Sequence, residues 1–335
     1  MGRFDIVTIG GAVKDFTFYT DAGKFFSTPE NLTAQRMLAF EYGAKINIKE
    51  AHTNFGGGAA NAAVCLSRLG FKVATLSRLG KDEIANEILK NFKSEKVNTS
   101  FIQIDKKLAS GYSFILATDK KEREHISFSF RGAIDNLHFN VKNLSRLSCD
   151  WIYLTSLSGK GWLKTLKTIF DFASQKGIKI AWNPGNHQLQ SGKKILSPYL
   201  KQTDILILNK DEAIELVLSG VKLGKKNPKH FNKPIYLLNI LGEWAPKISL
   251  VTGGKQGAWA YDGANIYRTS IANKKVLDTT GVGDSFSSTF LAGLIANKNN
   301  INKALRWGVV NSGSVVSKVG AQNGLLSRKS LNDKI

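Results

Sequence analysis

The 335-residue sequence predicts an α/β fold: a central, mainly parallel sheet flanked by helices, with a small antiparallel β lid. Two observations carry this. Short β-rich runs alternate with amphipathic stretches along most of the chain, the pattern of strands joined by crossover helices. Two segments break that rhythm, one poor in helical period and one with strict period-two alternation, and together they suggest a lid over a site.

The elements follow in order. Phe4 to Ile9 reads as a buried strand ending at Gly10-Gly11. Ala59 to Leu69 reads as a helix with Ala62, Leu66 and Leu69 on one face and Gly70 as its stop. Val73 to Leu76 returns as a strand. Trp151 to Leu154 is the next, leading to a helix carrying Trp162, Leu166, Ile169, Phe170 and Ala173 that Gly177 ends. Ile178–Trp182, Ile205–Leu208 and Ile248–Thr252 repeat the theme. In the lid, Tyr112–Ala117 and His125–Phe130 flank the charged link Thr118 to Glu124. Ile126, Phe128 and Phe130 alternate with His125, Ser127 and Ser129, as in a half-exposed antiparallel strand. The expectation is one domain over residues 1–335, its lid formed from about 14–55 and 108–132.

Composition excludes several classes. With 42% hydrophobic and 22% charged residues the chain can bury a substantial core, which argues against disorder. Only Cys65 and Cys149 are present, too few for a disulfide framework, and no apolar run approaches the ~18 residues of a membrane helix. Asp5 falls where a signal peptide would begin its apolar stretch, so a cytoplasmic protein is expected. The net charge of +21 attracts polyanions. Yet the densest patch, Lys222, Lys225, Lys226, Lys229 and Lys233, lacks the interleaved aromatics of a single-strand platform, so no dedicated nucleic-acid binding is expected. The five histidines are scattered without HExxH or a close pair, which leaves a catalytic zinc unsupported.

The sharpest local signal is Asp278-Thr279-Thr280-Gly281-Val282-Gly283-Asp284, followed by Phe286, Phe290 and Leu294 at helical spacing. The glycines sit at a helix N-terminus, where free N–H groups and the dipole favour an anion. An Asp in such a nest would repel phosphate; it makes sense if the carboxylate takes a proton from an attacking hydroxyl while the N–H groups hold the transferring phosphoryl. A surface Asp, with a pKa of about 3.9, is ionised at neutral pH. The plainer alternative is a helix cap. Other features keep it company. Asp15 lies just past a strand end, and Gly56-Gly57-Gly58-Ala59-Ala60-Asn61 opens a helix, so Asp15 and Asn61 could bond neighbouring sugar hydroxyls. Asn209 and Glu212 share a helix face suited to phosphate and hydrated Mg²⁺, or to a cap. Thr252 to Gly257 follows a strand as a further glycine-rich loop.

Taken in order, these motifs resemble those of the PfkB family of carbohydrate kinases, in the ribokinase-like superfamily. Asp278 to Asp284 is similar to the signature DTxGAGD, Gly56 to Asn61 to the family's GG-rich signature, Asn209 and Glu212 to NxxE, and Thr252, Gly254 and Gly257 to TxGxxG. The resemblance implies a ribokinase-like fold using ATP and Mg²⁺. It implies Asp284 as catalytic base with Gly281, Val282 and Gly283 as anion hole, and Asp15, Gly57, Gly58 and Asn61 as holders of the acceptor. It further implies Asn209, Thr252, Gly254, Gly257 and Asn311 for the nucleotide, Glu212 for Mg²⁺ through water, and Asp278 and Gly320 for a monovalent cation such as K⁺. Val282 replaces the usual Ala, and Ala181-Trp182-Asn183-Pro184-Gly185 keeps only the Asn of D-x-N-x-R. The lid aromatics Phe25, Phe26, Phe40 and Tyr42 match no substrate class and fit lid packing or a homodimer clasp.

Rival readings fit less well. Gly10-Gly11 lacks the GxGxxG of a dinucleotide oxidoreductase, and no GxxxxGK[ST] occurs. The expectation is an ATP-dependent kinase acting on a primary hydroxyl of a small ribose- or fructose-like sugar. A nucleoside is the second choice of acceptor, and a non-catalytic sugar- or nucleotide-binding protein is the alternative.

Overall fold

Eight strands form one sheet whose order is Ile266–Thr269, Ala258–Tyr261, Ile248–Thr252, Ile205–Asn209, Lys179–Trp182, Cys149–Leu154, Phe4–Ile9 and Val73–Leu76. All neighbours pair in parallel except at the first edge, where Ile248–Thr252, Ala258–Tyr261 and Ile266–Thr269 run antiparallel. The computed structural model describes residues 2–27, 36–117, 125–140, 147–222, 228–271 and 274–335. The charged link 118–124 and, within the basic patch, Lys225 and Lys226 lie outside them; Lys222 and Lys233 are exposed.

Both sheet faces are covered, as the apolar strands require. One face packs Val7, Ile9, Ile152, Leu154 and Trp182 against the helices Trp162–Lys176, Lys210–Gly220 and Pro234–Glu243. The other packs Ile6, Val73, Tyr153, Ile205 and Ile207 against Gly58–Arg68, Val282–Ala296 and Ile301–Val315. Each fully buried Leu, Ile or Phe here contributes roughly 1.5–3 kcal/mol of apolar transfer. Val282–Ala296 is buried on every side from Ser285 to Leu294, which explains why its apolar face reads so wide. Gly177 closes the helix Trp162–Lys176 in the left-handed conformation, φ 66°, as its stop position demands.

Phe4–Ile9 lies between Cys149–Leu154 and Val73–Leu76, so the chain departs from it to both sides. The loops diverge there, opening a crevice beyond the carboxyl ends of these strands, where open α/β sheets hold ligands. The lid stands over it: a four-stranded sheet ordered His125–Phe130, Tyr112–Ala117, Val13–Tyr19, Glu50–Gly56. Its outer pairs are antiparallel and its middle pair parallel. A hairpin, Lys24–Ser27 with Arg36–Ala39, extends the first lid segment. Among the described residues no helix is long and apolar enough to cross a membrane.

Candidate active site

A cavity of about 360 Å³ occupies the crevice beneath the lid, and Gly11, Asp15, Gly57, Gly58, Asn61, Gly281 and Asp284 all line it. Residues 270 apart in sequence thus converge, because the strand, lid and two helix N-termini all end at this point.

Asp284 stands in the first turn of Val282–Ala296, whose N-cap is Gly281 at φ 70°. The N–H of Val282 turns back to Thr279 O at 3.3 Å, which takes Val282 out of the expected anion hole. The N–H groups of Gly283 and Asp284 remain, having no acceptor within the first turn. A side chain at Gly283 would meet nothing within 4 Å, so the turn is open at that position, and free N–H groups at an accessible helix N-terminus suit an anion such as a phosphoryl group. Burial pushes the Asp284 carboxyl above its ordinary value, against a hydrogen bond from Asn61. It is therefore not the freely hydrated carboxylate assumed from sequence, though Asn61 Nδ2 at 2.8 Å favours its charged form.

Asn61 is committed at both ends. Its Oδ1 accepts from Gln322 Nε2 at 3.1 Å, and Gln322 Oε1 accepts from Asn91 Nδ2 at 3.0 Å. These three amides in series fix which atom Asn61 offers, so Asn61 serves Asp284 as directly as it could serve an acceptor. Sequence reasoning missed Gln322 and Asn91, since nothing local marks a partner 261 residues away. Asp15 is buried in the lid's inner face; burial above all, with the Asp278 and Asp284 carboxylates adding, lifts its pKa to about 6 while Ser113 pulls it down.

The glycine run Gly56 to Gly58 has a reason internal to the fold. A Cβ at Gly56 would lie 2.0 Å from Asp15 Oδ2, one at Gly57 2.5 Å from Gly11 O, and one at Gly58 3.2 Å from Thr155 Cβ. The absent side chains let these backbone segments close together, and Gly57 and Gly58 also line the cavity.

Toward the nucleotide end, Asn209 and Thr252 are register partners on adjacent strands. Asn209 and Glu212 form a reciprocal cap: Glu212 N donates to Asn209 Oδ1 at 2.9 Å and Asn209 N to Glu212 Oε2 at 2.8 Å. The cap reading thus holds, yet Glu212 also lines the cavity. Burial, with the nearby Asp284 charge, raises its pKa to about 7 against the Asn209 N–H. Crowded carboxylates of this kind fit a cation, although no group of three or more metal-ligating side chains occurs among the described residues. Any Mg²⁺ would therefore be held largely through water and phosphate. The raised value also dictates a pH effect. Protonation favours the folded state; that stability is full below about pH 4.5 and lost as pH rises through about 7. Glu212→Gln keeps the cap and should melt roughly 2–4 °C above wild type at pH 8 but level with it at pH 4.5, read by calorimetry.

Three expected site residues have different surroundings. Asn311 is fully buried, its Nδ2 donating to Thr289 Oγ1 at 2.7 Å and its Oδ1 accepting from Leu326 N at 2.9 Å. It braces the core behind the site and has no face toward a nucleotide. Gly257, at φ 96°, has its open side filled by the neighbouring strand: a Cβ would lie 2.1 Å from Thr269 O. The space at Gly254, by contrast, is open. Asp278 accepts from Thr280 N and Gly320 N, each at 2.8 Å, stapling the two loops together. Asn183 donates to Ile207 O at 2.9 Å and braces the sheet.

The lid inverts the usual polarity. Ser127 and Ser129 line the cavity, while Ile126 and Phe128 face away, Phe128 59% exposed. Period-two alternation gives two faces without saying which is inward.

The comparisons agree with this geometry. A family model described as pfkB family carbohydrate kinase matches residues 31–328. A ribokinase from Staphylococcus aureus (strain COL) is 27% identical over 296 residues, covering 87% of this chain and 91% of the relative. Arabidopsis thaliana ribokinase, solved with ribose and ATP, superposes with a TM-score of 0.76 at 18% identity, covering 99% of this chain and 98% of the other. Burkholderia thailandensis nucleoside kinase, solved with inosine, gives 0.77 at 15% identity, with 98% and 97% covered. Such a match leaves only the two ends of the chain outside it: the chain belongs to the pfkB family of carbohydrate kinases and has the ribokinase-like fold.

Proposed function

We propose that the chain transfers the γ-phosphoryl group of ATP to a primary hydroxyl of a small sugar, with Asp284 as general base. The observation that carries this is the Asp284 carboxylate itself, held by Asn61 at 2.8 Å in the first turn of a helix and lining the cavity beneath the lid. Asp284 takes the hydroxyl proton as the new O–P bond forms and the bond to the bridging oxygen of ATP breaks, leaving ADP. The N–H groups of the first turn stabilise charge on the transferring oxygens. Asp15, with Gly57 and Gly58, positions the acceptor. Asn209, Thr252 and Gly254 flank the nucleotide. Mg²⁺ beside Glu212, when bound, would neutralise phosphate charge, and K⁺ would sit at the loop stapled by Asp278 and Gly320. The 335 residues act as one domain, and the lid excludes water.

The test is ATP consumption with Mg²⁺, with and without K⁺, across pentoses, hexoses, sugar acids, sugar phosphates, inositols and nucleosides. An acceptor that stimulates wild type but not Asp284→Asn supports the reading. Stimulation by nucleosides alone replaces the sugar, and silence with ATP still bound points to a binding protein.

The outward lid face supports a second element. Phe16 and Phe18 lie within 5.8 Å, ring to ring, of Phe114, which is 41% exposed, beside Ile126 and Phe128. An apolar sheet face of this kind marks an interaction site, and we read it as a homodimer clasp. Phe128→Glu should convert a dimer to monomer in sedimentation velocity; an unchanged coefficient removes the clasp.

A further inference from the structure

The acids of the cavity have an unexpected companion. Asp15, Glu212 and Asp284 line it, and among the described residues one basic side chain does so, Arg131. Arg131 follows the lid strand His125–Phe130 and is the N-cap of the turn Gly132–Asn136. It is exposed at the cavity and makes no ion pair with a described carboxylate, unlike Arg68 and Arg78, which pair with Glu95 and Asp105. Beside it on the same strand stand the Ser127 and Ser129 hydroxyls, 3.4 Å apart, and Ser113 lies opposite Ser129 in register. All three serines line the cavity.

A neutral polyol has no use for this cation. Its hydroxyls are served by carboxylates and amides, which Asp15, Asn61 and Asp284 supply. An anion, by contrast, would be repelled by three acids unless a cation met it. A guanidinium fork with neighbouring hydroxyl donors is the arrangement that recognises a planar carboxylate or a phosphate. Because Arg131 is exposed, the anion it holds stays partly hydrated, which keeps the desolvation penalty small.

We propose that the acceptor carries an anionic group, carboxylate or phosphate, bound by Arg131 with Ser127 and Ser129 at the lid, while a hydroxyl elsewhere on the molecule meets Asp284. The substrate class is then a sugar acid or sugar phosphate. This rests on the kinase reading of the same cavity and narrows it.

The experiment compares wild type, Arg131→Met and Arg131→Lys on matched acceptors: aldonic and 2-keto sugar acids, hexose and pentose phosphates, their neutral parent sugars, and nucleosides. Wild type is expected to prefer one anionic set over its neutral parents. Which set wins separates carboxylate from phosphate. Arg131→Met should raise KM for that acceptor about 10- to 100-fold, the scale of a charge-assisted bond, with KM for ATP unchanged, and Arg131→Lys should recover part of the loss. Calorimetric binding of the same acceptors to Asp284→Asn makes the result independent of turnover. If anionic acceptors bind there better than their parents, the proposal stands even where the base assignment fails. If they bind no better, or if Arg131→Met weakens neutral and anionic acceptors alike or raises KM for ATP, the guanidinium serves another group and the proposal is overturned.

Discussion

Asp284→Asn should lower kcat by at least ~100-fold, the scale of losing a general base, while leaving acceptor binding and the melting temperature near wild type. The argument is one of conserved contacts. Asparagine has the shape of aspartate, and its Oδ1 still accepts the Asn61 Nδ2 hydrogen bond that now measures 2.8 Å. No buried donor is orphaned, so the fold has no reason to loosen. Removing a carboxyl whose pKa burial has raised relieves, if anything, a desolvation penalty at neutral pH. What disappears is only the ability to take a proton. The measurement is kcat at saturating ATP, with a thermal melt on the same protein. Turnover near wild type would shift the role to another cavity acid, first to Asp15, whose pKa of about 6 leaves it largely ionised at neutral pH.

Gly281→Val should be as damaging by a different route. Gly281 holds φ 70°, a region that costs an L-residue about 1–2 kcal/mol, and a β-branched side chain fits it worst. Its Cβ would also lie 2.3 Å from Ala321 Cβ and 2.8 Å from Ala321 Cα, so backbone must move. Ala321 stands between Gly320, stapled to Asp278, and Gln322, which holds Asn61. Both supports of the catalytic turn shift together. A displacement near 1 Å is enough for about 100-fold in rate, so kcat/KM should fall by at least that, with a lower melting temperature. Gly283→Ala is the contrasting case. Its methyl meets nothing within 4 Å, so stability should hold while the methyl takes the space meant for phosphoryl and activity falls. Equal melting losses in both variants would overturn the distinction between a glycine kept for packing and one kept for ligand.

Much of this was legible in the chain itself. Strands such as Phe4–Ile9 and Ile248–Thr252 show their burial in composition, and helix stops such as Gly177 show their backbone geometry. The turn around Asp284 could be read because glycine, glycine and acid at short spacing ahead of an apolar run mark a helix N-terminus, and Val282–Ala296 starts there. What could not be read depends on distance in sequence. Gln322 is an ordinary glutamine until Asn61 is placed against it. Asn311 carries no sign that Thr289 and Leu326 will absorb its amide. Gly257 owes its identity to Thr269, a residue of the neighbouring strand. The lid strand read only as half-exposed, because alternation reveals two sides and is silent on which side the cavity lies. Arg131 could not be separated from 46 other basic residues before the cavity existed.

The hydrogen bonds that Asn61 donates to Asp284 and accepts from Gln322 join residues 223 and 261 positions apart. During synthesis, which proceeds from the amino end, the first cannot form until residue 284, nor the second until residue 322, has left the ribosome. The first strands and the lid, all within the first 154 residues, emerge well before then. The growing chain nonetheless lacks the Asp284 carboxylate until residue 284 emerges, and the amide that orients Asn61 until residue 322. A chain that stops short of either residue leaves Asn61 without that partner, so the polar network of the cavity is among the last parts of the fold to close.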